Sequence, residues 1–146
     1  MNETLLWDTP QHAWHSARVI MDQMGLAGLI DRTTGIPAKD LLCACIYQES
    51  QFHPAAIGKP NHNGTRDYGL CQYNDGHNSK GFPLWIGPGA AFSSIQEVIN
   101  NPEKNVRIMV QMYKLGHLNW WSSYSTGAYK EHLLANSPMW ALKQAS

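Results

Sequence analysis

The chain has 146 residues, eleven basic and eleven acidic side chains, and a formal net charge of zero. That length predicts one domain over residues 1–146 with a core of its own. No basic block suits a nucleic-acid partner, no apolar run reaches membrane-spanning length, and the first residues lack the basic and apolar regions of a signal peptide.

Thr9-Pro10 reads as a helix cap followed by a first-turn proline. Trp14, Ala17, Met21 and Met24 follow at helical spacing, and Gly25 and Gly28 close the run. This is a packing helix, and residues 31–36 form a loop after it. A second helix is predicted from Pro37 to about Ser50, with Leu41, Leu42, Cys45 and Ile46 on a broad apolar face. His53-Pro54 stops it, because a residue before proline is pushed out of the helical region. Glu49 therefore falls in the last turn, where the negative end of the helix dipole and partial burial both favour its protonated form.

Residues 56–74 predict a small β region, with Asn63-Gly64 as a hairpin turn. A second acid, Asp67, stands directly before Tyr68-Gly69-Leu70. Gln72 and Asn74 alternate with Cys71 and Tyr73, which on a strand places both amides on one face. Amides facing a cleft suit sugar hydroxyls and N-acetyl groups; the competing reading is that they satisfy local backbone. Residues 75–93 make a long loop rich in Gly, Pro, Ser and Asn, in which Trp85 serves either to stack on a sugar or to plug the loop onto the core. Ser94-Ile95-Gln96-Glu97 is a capping box opening a short helix. Asn101-Pro102 starts the next, with Val106, Met109, Val110 and Tyr113 on one side and Gly116 as the stop; it is expected to be the central packing helix. Asn119–Tyr129 is aromatic and serine-rich, and Ser137-Pro138 predicts a last short helix carrying Met139 and Trp140.

The three cysteines, Cys43, Cys45 and Cys71, are an odd count in apolar settings and read as buried free thiols. The seven histidines are dispersed and form no His-x-x-x-His pair or Ser-His-Asp signature, so a zinc hydrolase is not indicated.

Glu49-Ser50-x-Phe52, the polar Asn-Gly hairpin, and Asp67-Tyr68-Gly69-Leu70-x-Gln72-x-Asn74 together resemble the catalytic core of the lysozyme superfamily. The stretch is similar to animal-type lysozymes and to SLT-type lytic transglycosylases, where Gly-Leu-x-Gln is also a signature. The resemblance is strong over residues 41–74, weaker over 102–129 and absent from the first thirty. It implies an α+β, mostly helical, lysozyme-like fold with a small hairpin lining a substrate cleft. It implies a peptidoglycan muramidase cleaving between N-acetylmuramic acid and N-acetylglucosamine, with Glu49 and Asp67 catalytic, Ser50 behind them, and Gln72, Asn74, Trp85, Trp121 and Tyr124 binding substrate. In lysozymes an aromatic keeps the general acid dry, and Trp121 matches that place; Tyr124 falls near the tyrosine that transglycosylases place in their cleft. Most transglycosylases lack the second acid, so Asp67 favours hydrolysis. A lytic transglycosylase forming anhydro ends and a non-catalytic glycan-binding tail component stay open as alternatives. The resemblance implies no metal or cofactor, and peptidoglycan strands as the partner. Trp-Ser-x-Tyr-x-x-Gly-Ala-Tyr also looks like lysozyme-like domains of phage tail and lysis proteins. With zero net charge, free thiols and no signal peptide, this suggests a phage virion or host-cytoplasmic protein, with tail proteins as further partners and delivery to the cell wall.

Overall fold

The computed structural model describes residues 4–133, so the helix expected after Ser137 lies outside the described residues. Within them the fold is mostly helical, with one small antiparallel sheet. Helix α1 is Pro10–Gln23, and Thr9 caps it by accepting from the His12 amide at 3.1 Å. Its end is closed by Gly25, with Leu26 N donating to Met21 O and Gly25 N to Asp22 O. That pair of bonds satisfies two last-turn carbonyls and needs the left-handed residue that glycine supplies.

Helix α2 is Ala38–Ser50. From Leu41 to Tyr47 every residue is buried, so it runs through the middle of the molecule instead of presenting one stripe. Helix α4, Pro102–Lys114, buries one face through Asn105, Val106, Ile108, Met109 and Val110. The central element is therefore α2, and the expectation that α4 would be central is corrected. Heptad-like spacing marks an amphipathic helix, and a core helix apolar on all sides carries no such stripe. Arg18–Asp40 and Lys39–Asp22 ion pairs at 2.9 and 2.7 Å tie α1 to α2. Helix α3, Ile95–Asn100, starts at Ser94, whose hydroxyl accepts from Glu97 N at 3.1 Å. The Glu97 carboxylate goes to Lys104 at 2.7 Å and Ser93 at 3.1 Å, joining α3 to α4.

Strands β1 (Asp67–Tyr68) and β2 (Tyr73–Asn74) pair with Asp67 opposite Asn74 and Tyr68 opposite Tyr73. Asn63-Gly64 does turn the chain: Asn61 N donates to Thr65 O at 2.7 Å, and Gly58 N to Asp67 O at 2.8 Å. The turn that joins β1 to β2 is a second one, Gly69–Gln72, so Asp67 lies between two turns. Gly69 has φ +84, and a Cβ there would meet Asn105 Oδ1 and Val98 Cγ1 at 2.7 Å. The fully buried Asn105 bolts this turn to the helices: its Oδ1 accepts from Cys71 N at 3.2 Å, and its Nδ2 donates to Val98 O and Asn101 O, each at 2.9 Å. The same residue's main-chain oxygen accepts from Tyr73 Oη at 2.7 Å. No helix among the described residues is long and apolar enough to cross a membrane.

Candidate active site

The end of α2, the β1–β2 hairpin and the segment after α4 converge on one cleft of about 250 Å³. It is lined by Glu49, Asp67, Gln72, Tyr73, Asn74, Trp85, Trp120, Trp121 and Ser122. Both acids singled out in the sequence share it.

Glu49 is half-buried in the last turn of α2, and Ser123 N donates to its Oε2 at 3.4 Å. Burial raises its pKa; the Ser123 hydroxyl and amide oppose that rise, and the charge of Asp67 adds to it. The helix ends one residue later because Gln51 and Phe52 both turn left-handed, at φ 53 and 62, before Pro54 can act. Ser50 fixes this end, its hydroxyl donating to Leu70 O at 2.6 Å and to Ile46 O at 3.3 Å. That bond ties the helix that carries Glu49 to the turn beyond Asp67.

Asp67 Oδ1 accepts from Asn74 Nδ2 at 2.9 Å, and its Oδ2 from Asn61 Nδ2 at 3.4 Å. Asn74 is thus a carboxylate holder. Its Nδ2 also reaches Thr65 Oγ1 at 2.9 Å, and its Oδ1 accepts from Gly76 N at 2.7 Å. Gln72 has φ +58 and belongs to the turn, and its Nε2 donates to Ala56 O at 3.2 Å and Gly69 O at 2.9 Å. Both residues line the cleft, but their amide donors are spent on the protein. The expected placement of both amides on one strand face is corrected: β2 begins only at Tyr73, and the turn claims Gln72.

Trp121 is buried, and its Nε1 donates to Cys71 O at 2.7 Å. That bond contributes about 1 kcal/mol and fixes the indole in the cleft wall. Trp85 is half-buried and packs on Tyr73, with centroids 5.0 Å apart, and on Trp121 at 6.0 Å. It therefore both plugs the 75–93 loop and lines the cleft; Phe92, fully buried, is the loop's other plug. Tyr124 stands apart from this cleft. It stacks on Tyr129 at 5.5 Å and lines a separate cavity of about 580 Å³ with Asp31, Arg32, Tyr113 and Asn119. That cavity is larger but contains neither Glu49 nor Asp67. The separation has a geometric cause: α5 (Ser122–Ser125) carries Ser123 toward Glu49, and the following helical position points elsewhere.

The cleft lining also includes Tyr73, Trp120 and Ser122, which the motif does not assign to it; Trp120 is 57% exposed there, and Ser123 is buried against Glu49. The Trp-Trp-Ser-Ser run is the signal that holds Trp120, Ser122 and Ser123. The three cysteines are free and buried, as expected, and burial pushes Cys43 to about 11 and Cys45 to about 12. Thiols so hard to ionise do not serve as nucleophiles. The described residues contain no cluster of three His, Cys, Asp or Glu able to hold a metal ion.

Residues 32–130 match the family model of the transglycosylase SLT domain. The chain belongs to that family. It is also similar to Lysozyme 2 of Lucilia sericata, 32% identical over 109 residues that cover 70% of this chain and 72% of that protein. A lysozyme of Galleria mellonella is 49% identical over 37 residues, 25% of this chain and 30% of that protein. This SLT-family chain is accordingly a peptidoglycan-cleaving enzyme, a glycosidase or lytic transglycosylase, and peptidoglycan is its substrate. The matched span contains both stretches of the sequence resemblance, 41–74 and 102–129, and takes in every residue of the cleft.

Proposed function

We propose that the protein is a muramidase that hydrolyses the β-1,4 bond between N-acetylmuramic acid and N-acetylglucosamine, with Glu49 as general acid and Asp67 as its anionic partner. One observation carries this reading: a single cleft holds two carboxyl groups in unlike surroundings. Burial favours the neutral form of Glu49, so it retains a proton to give where an open carboxylic acid would have lost it. Lysozyme is the type case of such a division between two acids.

Glu49 transfers its proton to the glycosidic oxygen as the C1–O bond breaks, and the leaving sugar departs with a hydroxyl group. Asp67, aimed by Asn74 and Asn61, stabilises or attacks the cationic C1. Water then adds at C1 and gives its proton to the Glu49 carboxylate, which restores the acid. Ser50, Asn74 and Ser123 position these groups, and Trp85 and Trp121 form the aromatic wall.

The second reading is transglycosylation, in which the substrate's own hydroxyl replaces water and closes an anhydro ring; the family match favours it, and Asp67 favours hydrolysis. Mass spectrometry of digested peptidoglycan separates them. Reducing ends are expected, and anhydro ends, lighter by one water, would overturn the hydrolytic reading. Zero net charge and three free thiols support a phage origin, with action at lysis or from a virion tail. Peptide mass fingerprints of purified virions would carry this protein if the tail reading holds.

A further inference from the structure

The described residues expose nine large apolar side chains, and of these Trp120 alone lines the Glu49 cleft. An indole left 57% exposed loses the stabilisation that burial would give, so its setting bears on its use. Its setting is rigid. The His117 ring lies parallel to it, with centroids 4.1 Å apart and planes 5° apart. Trp85 meets it edge-on at 6.0 Å and 67°. His117 is itself fixed by the end of α4, where its amide donates to Met112 O at 2.8 Å beyond the left-handed Gly116. Trp120 also closes a 3₁₀ turn, its amide donating to His117 O at 3.0 Å. One face of the indole is covered by imidazole, its edge is held by Trp85, and the remainder is open to the cleft.

We propose that Trp120 is a glycan-binding platform: one pyranose ring of the substrate stacks on its open face, and His117 backs the opposite face to hold the indole in place. A flat, immobile aromatic suits the apolar C–H face of a sugar and loses little conformational freedom on binding. The neighbouring amides cannot do this work, because Gln72 and Asn74 donate to the protein. The indoles are the cleft's aromatic surface for a sugar ring, and Trp120 is the most accessible of them. The proposal rests on the glycan-cleaving reading above.

Calorimetric titration of a soluble N-acetylglucosamine hexamer tests it in the full chain, with Glu49→Gln as the uncleaving background. Adding Trp120→Ala is expected to weaken binding about 10-fold, and Trp120→Phe about 3-fold, the range of a lost or reduced aromatic contact. Adding His117→Ala should weaken it about 2- to 3-fold by freeing the indole. In the active enzyme the Trp120→Phe loss should fall on KM and leave kcat within about 2-fold. Equal affinity of the Glu49→Gln protein with and without Trp120→Phe overturns the platform. Trp120→Phe keeps a ring in place should the alanine variant fold poorly. Because binding is read apart from turnover, a parent that binds the hexamer but cleaves no peptidoglycan refutes the chemistry alone. A Glu49→Gln protein that binds no hexamer, made from a parent that cleaves peptidoglycan, refutes the platform alone.

Discussion

Glu49→Gln keeps the size of the side chain and can still accept the Ser123 amide, but it removes the transferable proton. General-acid catalysis is worth about 100- to 10,000-fold, so kcat on purified glycan strands is expected to fall by about 1,000-fold, roughly 4 kcal/mol of barrier. The same burial predicts an opposite effect on stability. The native carboxyl titrates above the usual glutamate range because burial penalises the charge. Below the unfolded pKa both states are protonated, and parent and variant should be equally stable on this account. As pH rises through the window between the unfolded and the raised native pKa, the unfolded state loses its proton first and the parent loses stability. Glutamine has no proton to lose, so the variant should become the more stable of the two, by about 1.4 kcal/mol for each unit of displacement. Denaturant titrations below and above that window, paired with turnover, read both effects. A variant that keeps its turnover within tenfold, or a stability difference that does not change with pH, would refute the reasoning.

Asp67→Asn should lower hydrolysis by about 100-fold if its charge stabilises the cationic centre; near-parental rates accompanied by anhydro products would transfer the assignment to transglycosylation. Asn105→Ala leaves Cys71 N without a partner in the core and removes the side-chain bonds to Val98 O and Asn101 O, which keep their main-chain donors, and should cost about 2 kcal/mol in chemical denaturation. Gly69→Ala adds two contacts at 2.7 Å at a positive φ and should cost about 2–4 kcal/mol, visible as a depressed melting temperature. Gln51→Gly relieves a left-handed non-glycine residue at the exposed end of α2 and should raise stability by about 0.5–1 kcal/mol.

Local chemistry made much of the fold legible. The Thr9, Ser94 and Asn101 caps and the Gly25 and Gly116 stops are one-turn interactions between near neighbours, and each stands where its residues predict. Glu49 at the end of a buried helix was legible for the same reason, since the apolar run and the break after it lie within a few residues. Long-range assignments fared less evenly. Strand alternation puts Gln72 on the Asn74 face, but alternation holds only where a strand has begun, and its left-handed φ ends the pattern. Ser123 is buried against Glu49 while its chain neighbour Tyr124 lines another cavity, and a linear motif does not say which neighbour turns toward the acid. Trp120 was hidden for a similar reason. Of two adjacent tryptophans, the one whose N–H meets Cys71 O becomes wall, and the other is left to the cleft.

The non-glycine residues with left-handed backbone among the described residues are Gln51, Phe52 and Gln72. All three adjoin the two acids in the chain or the cleft itself. Conformations of this kind cost of order 1–3 kcal/mol each and persist where surrounding contacts over-determine them. Those contacts are identifiable here: Phe52 is fully buried, Ser50 bonds to Leu70 O, and the Gln72 amide spans Ala56 O and Gly69 O. A regular continuation of α2 would carry the chain past the hairpin. The double left-handed turn instead brings 53–58 back, so that Ala56 O accepts from Gly69 N at 2.8 Å and Gly58 N reaches Asp67 O. The backbone cost and the facing of the two carboxyl groups thus have one origin. The helix must end abruptly one residue after Glu49 for the strand bearing Asp67 to return beside it.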